Sequence, residues 1–243
     1  MKPNQNGNQN LVYGRIPSLN ALENNKALKA YVQKGFSDDR VLSLIKAKRI
    51  PLSFVEIEKL DSLSSKGNHQ GVVLEVKPFE YSDLNSILAI SKKKENPIIL
   101  VLDEIEDPHN FGAIIRSCDA FDVSGIIIKS RNQVPVTMVV SKVSTGAIEY
   151  VRIAQVSNLS VALNKLKENG FWIYATDGSG STNYQDVDYS GPVALVMGSE
   201  GRGISRLVLE NSDFVIKIPM FGHVNSLNVS VATGILLSRI RAK

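Results

Sequence analysis

The sequence predicts a protein of the α/β class, whose larger part is a parallel sheet covered by helices on both faces. Two observations predict this class. Continuous apolar runs, typical of strands buried on both faces, occur at residues 98–102, 125–128, 171–175, 193–197 and 214–218. Helical patterns alternate with these strands at residues 110–121, 159–168, 204–209 and 226–241.

A second, smaller domain is predicted before this sheet, and a chain of 243 residues is long enough to contain both. Residues 11–78 alternate strand-like runs such as 71–76 with helix-like stretches such as 39–48, which indicates a small α/β domain. Residues 79–96 predict a linker with a helix at 81–90, and residues 97–243 form the larger domain. Residues 1–10, rich in Asn and Gln, predict a disordered tail.

The composition excludes several classes of protein. No apolar run approaches the roughly 20 residues of a membrane-spanning helix, and the chain does not start with the apolar core of a signal peptide. The single cysteine, Cys118, can form neither an internal disulfide nor a multi-thiolate metal site, and it is most simply a packed thiol. These features predict a cytoplasmic protein that does not bind a membrane or a metal ion.

Positive charge is concentrated in the N-terminal part of the chain. The net charge is +4, with 15 Lys and Arg against 10 Asp and Glu up to Glu95, and 13 against 14 after it. This excess is typical either of a solvated lysine-rich surface or of a face that binds RNA. Charge alone does not separate the two.

Ligands of a parallel sheet bind at the carboxyl ends of its strands, so the loops there are the candidate site. The first of these loops, residues 103–116, contains Asn110 and Arg116. One interpretation makes Asn110 the cap of the following helix and Arg116 a surface residue. In the other, both side chains point into one pocket, where the guanidinium holds a phosphate or a ribose.

Two further loops contain unusual residue patterns. The glycine loop, Gly198–Gly203, is either a tight turn or a ligand loop, and it matches neither the P-loop nor the dinucleotide fingerprint. That mismatch disfavours a nicotinamide enzyme. Before the last helix, small and polar residues stand at Ser226, Asn228 and Ser230, and Ser226 is predicted to be the helix N-cap.

Together the three loops resemble the signature motifs of the SpoU (TrmH-like) branch of the SPOUT RNA methyltransferases. The matching stretches are Asn110–Arg116, Leu195–Gly203 and Ile218–Met220 with Ser226–Gly234. Tyr13–Gly14 and His69–Val73 resemble the substrate-binding domain of bacterial 23S rRNA guanosine 2′-O-methyltransferases. The resemblance implies an L30e-like RNA-binding domain, a parallel-sheet catalytic domain with a C-terminal trefoil knot, and a homodimer.

The resemblance also implies the chemistry, which is 2′-O-methylation of a ribose in RNA. The substrate that it implies first is a guanosine of 23S rRNA. It implies S-adenosylmethionine as methyl donor and no metal. Backbone groups around Thr176, Gly198, Ile218 and Leu227 would bind this donor. The methyl-transfer end would be lined by Asn110, Arg116, Glu200, Ser226 and Asn228.

Some alternatives stay open at this point. Arg116 either takes the proton of the 2′-hydroxyl or anchors RNA, and His69 is either structural or in contact with RNA, whereas His109 and His223 are expected to be solvated. Ribose methylation of tRNA keeps the same chemistry with another substrate. An RNA-binding ribosome-assembly protein without catalysis is the alternative from another class, and the set of intact polar motif residues argues against it.

Overall fold

The computed structural model describes residues 11–242, so the tail predicted at residues 1–10 lies outside the described residues. The chain divides into two compact units, the first ending at Phe79 and the second beginning at Glu80. The α/β class predicted from the sequence is confirmed in both.

The first unit is a four-stranded mixed sheet with three helices, and its strand order is β1-β4-β2-β3. Strands β1 and β2 both pair antiparallel with β4, whereas β2 and β3 are parallel. The core lies on the central strands, where Ala30, Val32 and Leu74 are fully buried. The elements are β1 (Leu11–Tyr13), α1 (Arg15–Glu23), β2 (Ala27–Gln33), α2 (Asp39–Ala47), β3 (Leu52–Val55), α3 (Ile57–Leu63) and β4 (Val72–Val76).

The second unit contains a seven-stranded sheet in which every described pair of neighbours is parallel. Its strands are β5 (Ile98–Asp103), β6 (Gly125–Lys129), β7 (Ile153–Val156), β8 (Trp172–Thr176), β9 (Thr182–Asn183), β10 (Val193–Gly198) and β11 (Phe214–Lys217). Its α-helices are α4 (Leu84–Ser91), α5 (Pro108–Ala120), α6 (Met138–Val143), α7 (Leu159–Glu168), α8 (Arg206–Glu210) and α9 (Val229–Arg241). A short 3₁₀ helix spans Ala147–Glu149.

Strand order places the switch point of this sheet between β5 and β10. The order is β7-β6-β5-β10-β8-β11-β9, so the chain builds outward from β5 on one side and later adds strands on the other. All six residues of β5 are buried, as expected for a strand covered on both faces. The carboxyl ends of β5, β10, β8 and β11 follow one another along a single edge, where a crevice is expected.

The predicted linker segment contains helix α4, which is part of the second unit. Asp83 caps this helix by accepting a hydrogen bond from the Ser86 amide at 2.9 Å, and Ile87 and Leu88 are buried in the core beside β5 and β6. Among residues 11–242, no helix is long and apolar enough to cross a membrane.

Candidate active site

Three polar side chains from three separate loops meet at the carboxyl edge of the sheet. Asn110 Nδ2 donates a hydrogen bond to Glu200 Oε1 at 2.8 Å. Asn228 Nδ2 donates to the same Glu200 oxygen at 3.0 Å and to Asn110 Oδ1 at 2.9 Å. We refer to Asn110, Glu200 and Asn228 as the polar triad. All three are among the residues predicted for the methyl-transfer end.

The orientation of both amides in the triad is determined by their partners. Asn228 is the N-cap of α9, and its Oδ1 accepts from the Ser230 amide at 2.9 Å and the Ser230 hydroxyl at 2.6 Å. Only an oxygen can accept these bonds, so Nδ2 of Asn228 must face the rest of the triad. Asn110 Oδ1 then accepts from Asn228, which directs Asn110 Nδ2 to Glu200.

The predictions that Ser226 and Asn110 are helix caps are wrong. Asn228 caps α9, and Ser226 is exposed two residues earlier. Asp107 caps α5 by accepting a hydrogen bond from the His109 amide at 2.8 Å, with Pro108 at the first helical position. Proline is well suited to that position, so the residue before it becomes the cap. Asn110 is therefore inside the first turn, with its side chain available to the triad.

Arg116 is not in contact with the polar triad. It lies on α5 six residues after Asn110, about 120° around a helix of 3.6 residues per turn. Its side chain is exposed and has no hydrogen-bond or ion-pair partner within residues 11–242. The guanidinium is thus available to a ligand from outside this chain.

The glycine loop is a closed turn that presents Glu200. Ser199 and Gly203 exchange two backbone hydrogen bonds, at 3.1 and 2.9 Å. A Cβ at Gly198 would lie 2.2 Å from the carbonyl carbon of Gly203, which is too close for any side chain. Loop closure therefore requires glycine at position 198.

Two acidic residues, Asp103 and Glu104, and the lysine Lys129 lie beside this loop; Asp103 is buried, whereas Glu104 and Lys129 are partly exposed. Asp103, at the end of β5, is 1% exposed, and its Oδ2 accepts from the Ser205 amide at 2.8 Å, just before α8. Its Oδ1 has no hydrogen-bond partner in the described part of the chain and lies 3.7 Å from Lys129 Nζ. Lys129 also binds Glu104 at 2.5 Å, and Glu104 lies 3.5 Å from Arg202 of the glycine loop.

The hydrogen bond from Lys129 is the main reason why the pKa of Glu104 is below its usual value. Asp103, Glu104 and Lys129 were not among the residues predicted from the sequence. The available signal was a charged residue as the last residue of two otherwise apolar strands, Asp103 on β5 and Lys129 on β6. At the edge of a parallel sheet such residues lie where ligands bind.

The four residues predicted to bind the donor lie near the same edge. Thr176 ends β8 and donates from Oγ1 to the Val196 carbonyl at 3.0 Å, which ties β8 to β10. Gly198 ends β10, and Ile218 directly follows β11. Leu227 directly precedes Asn228 of the triad.

Two of these residues have backbone groups that are available to bind the methyl donor. Within the described chain, neither Ile218 nor Leu227 makes a backbone hydrogen bond. Both residues are half-buried, so their amides and carbonyls are available to a ligand beside apolar side chains. That arrangement fits a nucleoside whose base edge is read by the main chain.

The remaining candidates have structural roles or lie on the surface. Burial raises the pKa of the Cys118 thiol, which is packed in the core. His69 is buried in the first unit, whereas His109 and His223 are exposed. Over residues 11–242 there is no group of three or more His, Cys, Asp and Glu side chains that could hold a metal ion.

Comparison with known proteins gives the family. The model of the SpoU rRNA Methylase family matches residues 97–238, and that of the RNA 2′-O ribose methyltransferase substrate-binding domain matches residues 11–82. YacO of Bacillus subtilis (strain 168), of the TrmH family of tRNA/rRNA methyltransferases, is 45% identical over 205 residues, covering 84% of this chain and 82% of YacO. A TrmH family relative from Staphylococcus aureus (strain COL) is 42% identical over 219 residues, covering 88% of each chain.

Solved structures give the same result. An AdoMet-bound rRNA methyltransferase from Sinorhizobium meliloti is 28% identical, with a TM-score of 0.75 over 95% of this chain and 86% of the other. A TrmH/SpoU tRNA modifying enzyme from A. aeolicus is 34% identical, with a TM-score of 0.55 over 65% of this chain and 80% of the other. The fold is that of an RNA methyltransferase. The chain belongs to the SpoU rRNA methylase family, which confirms the resemblance; the trefoil knot stays a prediction.

Proposed function

We propose that this chain methylates the ribose 2′-hydroxyl of a guanosine in 23S rRNA, with S-adenosylmethionine as the methyl donor. The observation that carries the proposal is the polar triad, built from three distant loops at the sheet edge where ligands bind. A protein that only binds RNA has no need of this closed arrangement. The rRNA methyltransferase neighbour supports the ribosomal substrate, and the substrate-binding model over residues 11–82 supports RNA as the ligand of the first unit.

The donor would lie against the carboxyl ends of β8, β10 and β11. Backbone groups of Ile218 and Leu227 would bind its adenine edge, beside Thr176 and Gly198. Bound there, it would supply a sulfonium methyl group for in-line transfer to the 2′-oxygen. The C–S bond would break with its electron pair left on the sulfur of S-adenosylhomocysteine, and the hydroxyl proton would pass to Glu200 Oε2. No residue in this assignment acts through a metal.

The protein's own contribution is to position the ribose. Glu200 Oε1 already accepts two amide hydrogen bonds, which leaves Oε2 as the acceptor that can bind the 2′-hydroxyl and orient its lone pair. Arg116 binds an adjacent phosphate through its planar guanidinium, which matches phosphate geometry. Ser226, exposed just before the triad's Asn228, adds a hydroxyl at the same end of the site.

We also propose that two copies form a homodimer next to this site. The segment between β11 and α9 and the first turn of α9 expose apolar side chains, with Phe221 95%, Val224 63% and Val231 51% accessible. A second copy would cover them, and sedimentation analysis at micromolar concentration tests this directly. The rRNA substrate and the single thiol agree with a cytoplasmic protein.

Methylation of a tRNA ribose is the second candidate. The family description of YacO includes both tRNA and rRNA, and the A. aeolicus neighbour is a tRNA modifying enzyme that covers 65% of this chain. The match to the Sinorhizobium meliloti rRNA methyltransferase favours rRNA, because it covers 95% of this chain, whereas the match to the tRNA modifying enzyme covers 65%.

One experiment tests both candidates. The purified chain is incubated with methyl-labelled S-adenosylmethionine and unmodified transcripts of 23S rRNA and of tRNA, and ribose methylation is mapped by nucleotide. We expect methylation of one guanosine in 23S rRNA. Product on tRNA alone would transfer the assignment to the second candidate, and donor binding without transfer to any RNA would reject the enzymatic proposal.

A further inference from the structure

A cavity of about 560 Å³ lies within the first unit, where the end of β2, the start of α1 and the loop before β4 meet. Ligand sites typically have volumes of about 300–1,000 Å³, so this one can hold a small ligand or one unit of a larger one. Its lining includes two cations, Arg15 and Lys34, two amides, Gln33 and Gln70, and the ring of Phe36.

The loop on one side of the cavity is held in place without a ligand. His69 is 7% exposed, and its Nδ1 accepts from the Gly71 amide at 3.0 Å. Its Nε2 therefore carries the proton and donates to Asp61 Oδ1 at 3.2 Å. The Arg15 amide donates to Gln70 Oε1 at 2.9 Å, which ties the start of α1 to the same loop.

Phe36 forms one wall because Gly71 lets it approach. Gly71 has φ +81°, and a Cβ there would lie 2.7 Å from Phe36 Cδ2. The ring thus packs directly on the backbone of the loop. The Arg15 guanidinium carbon lies 5.6 Å from the ring centroid, so an aromatic ring and a guanidinium plane adjoin in this cavity.

The charge of the cavity lining is positive. None of the described lining residues is acidic, although two carboxylates lie beside it. Asp38 is 3.7 Å from Arg15 Nε, and Glu56 is 2.5 Å from Lys34 Nζ. Both cations are more than half exposed, and such surface ion pairs are weak because water and salt screen them. An RNA phosphate can therefore replace either carboxylate at small cost.

We propose that this cavity binds one unstacked nucleotide of the RNA substrate. The base stacks on Phe36 and Arg15, the Gln33 and Gln70 amides bind its edge, and Lys34 binds the phosphate. Single-stranded RNA is recognised by this combination of aromatic and guanidinium stacking with hydrogen bonds to base edges. The proposal rests on the proposed function for RNA as the partner, and it gives the His-Gln-Gly run, residues 69–71, its role.

Two matched substitutions test the cavity in the full chain. Phe36→Leu removes the aromatic surface from the cavity, and Phe54→Leu removes an exposed ring on β3 of the same unit that does not line it. Stacking contributes about 1–3 kcal/mol per base, so we expect Phe36→Leu to raise the Kd for RNA roughly 5- to 100-fold. The control should change it less than twofold, and its kcat at saturating RNA should equal that of the wild type.

The probes are unmodified 23S rRNA and tRNA transcripts at fixed salt. Arg15→Ala, with Arg40→Ala as its control, decides the question if Phe36→Leu fails to fold. Transcripts containing 4-thiouridine, irradiated on the wild-type chain, should crosslink to the tryptic peptide of residues 35–40, an outcome that a purely structural Phe36 would not produce.

The outcomes separate the cavity from the catalytic proposal. Equal Kd values for the folded Phe36 variant and its control, with no crosslink to residues 35–40, would overturn the nucleotide site, as would a wild-type chain that binds neither RNA. If the wild-type chain binds RNA but methylates none, the proposed function fails. The Kd ratio then still decides whether the cavity binds a nucleotide.

Discussion

Asn228 donates a hydrogen bond from Nδ2 to Oδ1 of Asn110, 2.9 Å away, while its own Oδ1 caps helix α9. One side chain thus begins the last helix and holds a residue that precedes it by 118 positions. Folding of α9 and assembly of the polar triad are coupled through this amide. The cap uses Oδ1 of Asn228, whereas the triad uses Nδ2. A substitution that keeps only the oxygen should therefore preserve stability and reduce activity.

Asn228→Ser should keep the cap and lose the triad. Serine caps helices about as well as asparagine, whereas alanine costs about 1 kcal/mol at an N-cap. We expect urea unfolding of Asn228→Ser to resemble that of Asn158→Ser, a matched cap substitution on α7. Methyl transfer should fall at least about tenfold, because about 1.4 kcal/mol of positioning is a factor of ten in rate. Wild-type activity of Asn228→Ser would show that the triad does not position the substrate.

Substitution of Arg116 should weaken the binding of RNA and leave the stability of the protein unchanged. Its side chain is exposed and has no partner in the part of the chain that the structure describes, so Arg116→Lys and Arg116→Ala should unfold like the wild type. Both should raise KM for RNA, and lysine should restore only part of the loss because it lacks the planar fork. Initial rates over a range of RNA concentrations provide the measurement. A wild-type KM for RNA in Arg116→Lys would discredit a specific guanidinium role.

Gly198→Ala should destabilise the protein, whereas Gly201→Ala should not, although both substitutions alter the same loop. A Cβ at position 198 meets the Gly203 backbone at 2.2 Å, whereas nothing lies within 4 Å of a Cβ at position 201. Backbone atoms cannot rotate away as side chains do. We therefore expect Gly198→Ala to lower the free energy of unfolding by about 1–3 kcal/mol, the usual cost of overpacking.

Calorimetric titration with S-adenosylmethionine reports the functional side of the same pair. Gly198→Ala should weaken donor binding because the loop can no longer close, and Gly201→Ala should bind normally. Equal stability and equal affinity in the two variants would mean that the closed loop is not required.

The sequence predicted a strand correctly where its residues were compatible with only one kind of structure. Apolar runs predicted five strands of the second unit, and β5, β6, β8 and β10 are largely buried, because a strand covered on both faces leaves few polar positions. The expectation that β11 is buried on both faces is wrong, since Phe214 is exposed and Lys217 ends the strand. Strand β7 was missed, since it is four residues long and includes the exposed Gln155. The two-residue β9 and the short helix α6 left no recognisable period either.

The caps were mispredicted for a different reason. Several residues able to cap a helix lie close together before α5 and before α9. The residue that becomes the N-cap is the one directly before the first residue with helical backbone angles. Asp107 was selected by the proline after it, and Asn228 by the amides of the turn that follows. Motif resemblance brought Asn110, Glu200 and Asn228 together as candidates. Their mutual hydrogen bonds depend on strand order, which the sequence does not contain.

Lys129 should make stability depend on acid pH through Glu104. Because the ion pair lowers the pKa of Glu104 in the folded chain, its stabilisation is present above the unfolded pKa of about 4.3 and is lost as pH falls through the folded value. Lys129→Met removes the cation from Glu104 and from the buried Asp103 together. We expect it to lower the free energy of unfolding at pH 7 by about 1–3 kcal/mol, less than the 3–5 kcal/mol of a fully buried pair, because both partners are partly exposed.

The acid dependence distinguishes this mechanism from lost packing. Urea unfolding at pH 7 and at pH 4 should show a smaller difference between the two pH values in Lys129→Met than in the wild type, since Glu104 has lost the partner that lowers its pKa most. Lys165→Met is the control, because among residues 11–242 the Lys165 ammonium group binds only the uncharged Asn85 side chain, at 2.5 Å on the surface of the same unit. A pH dependence in Lys129→Met equal to that of the wild type would show that this ion pair does not stabilise the loop edge on which Glu200 is presented.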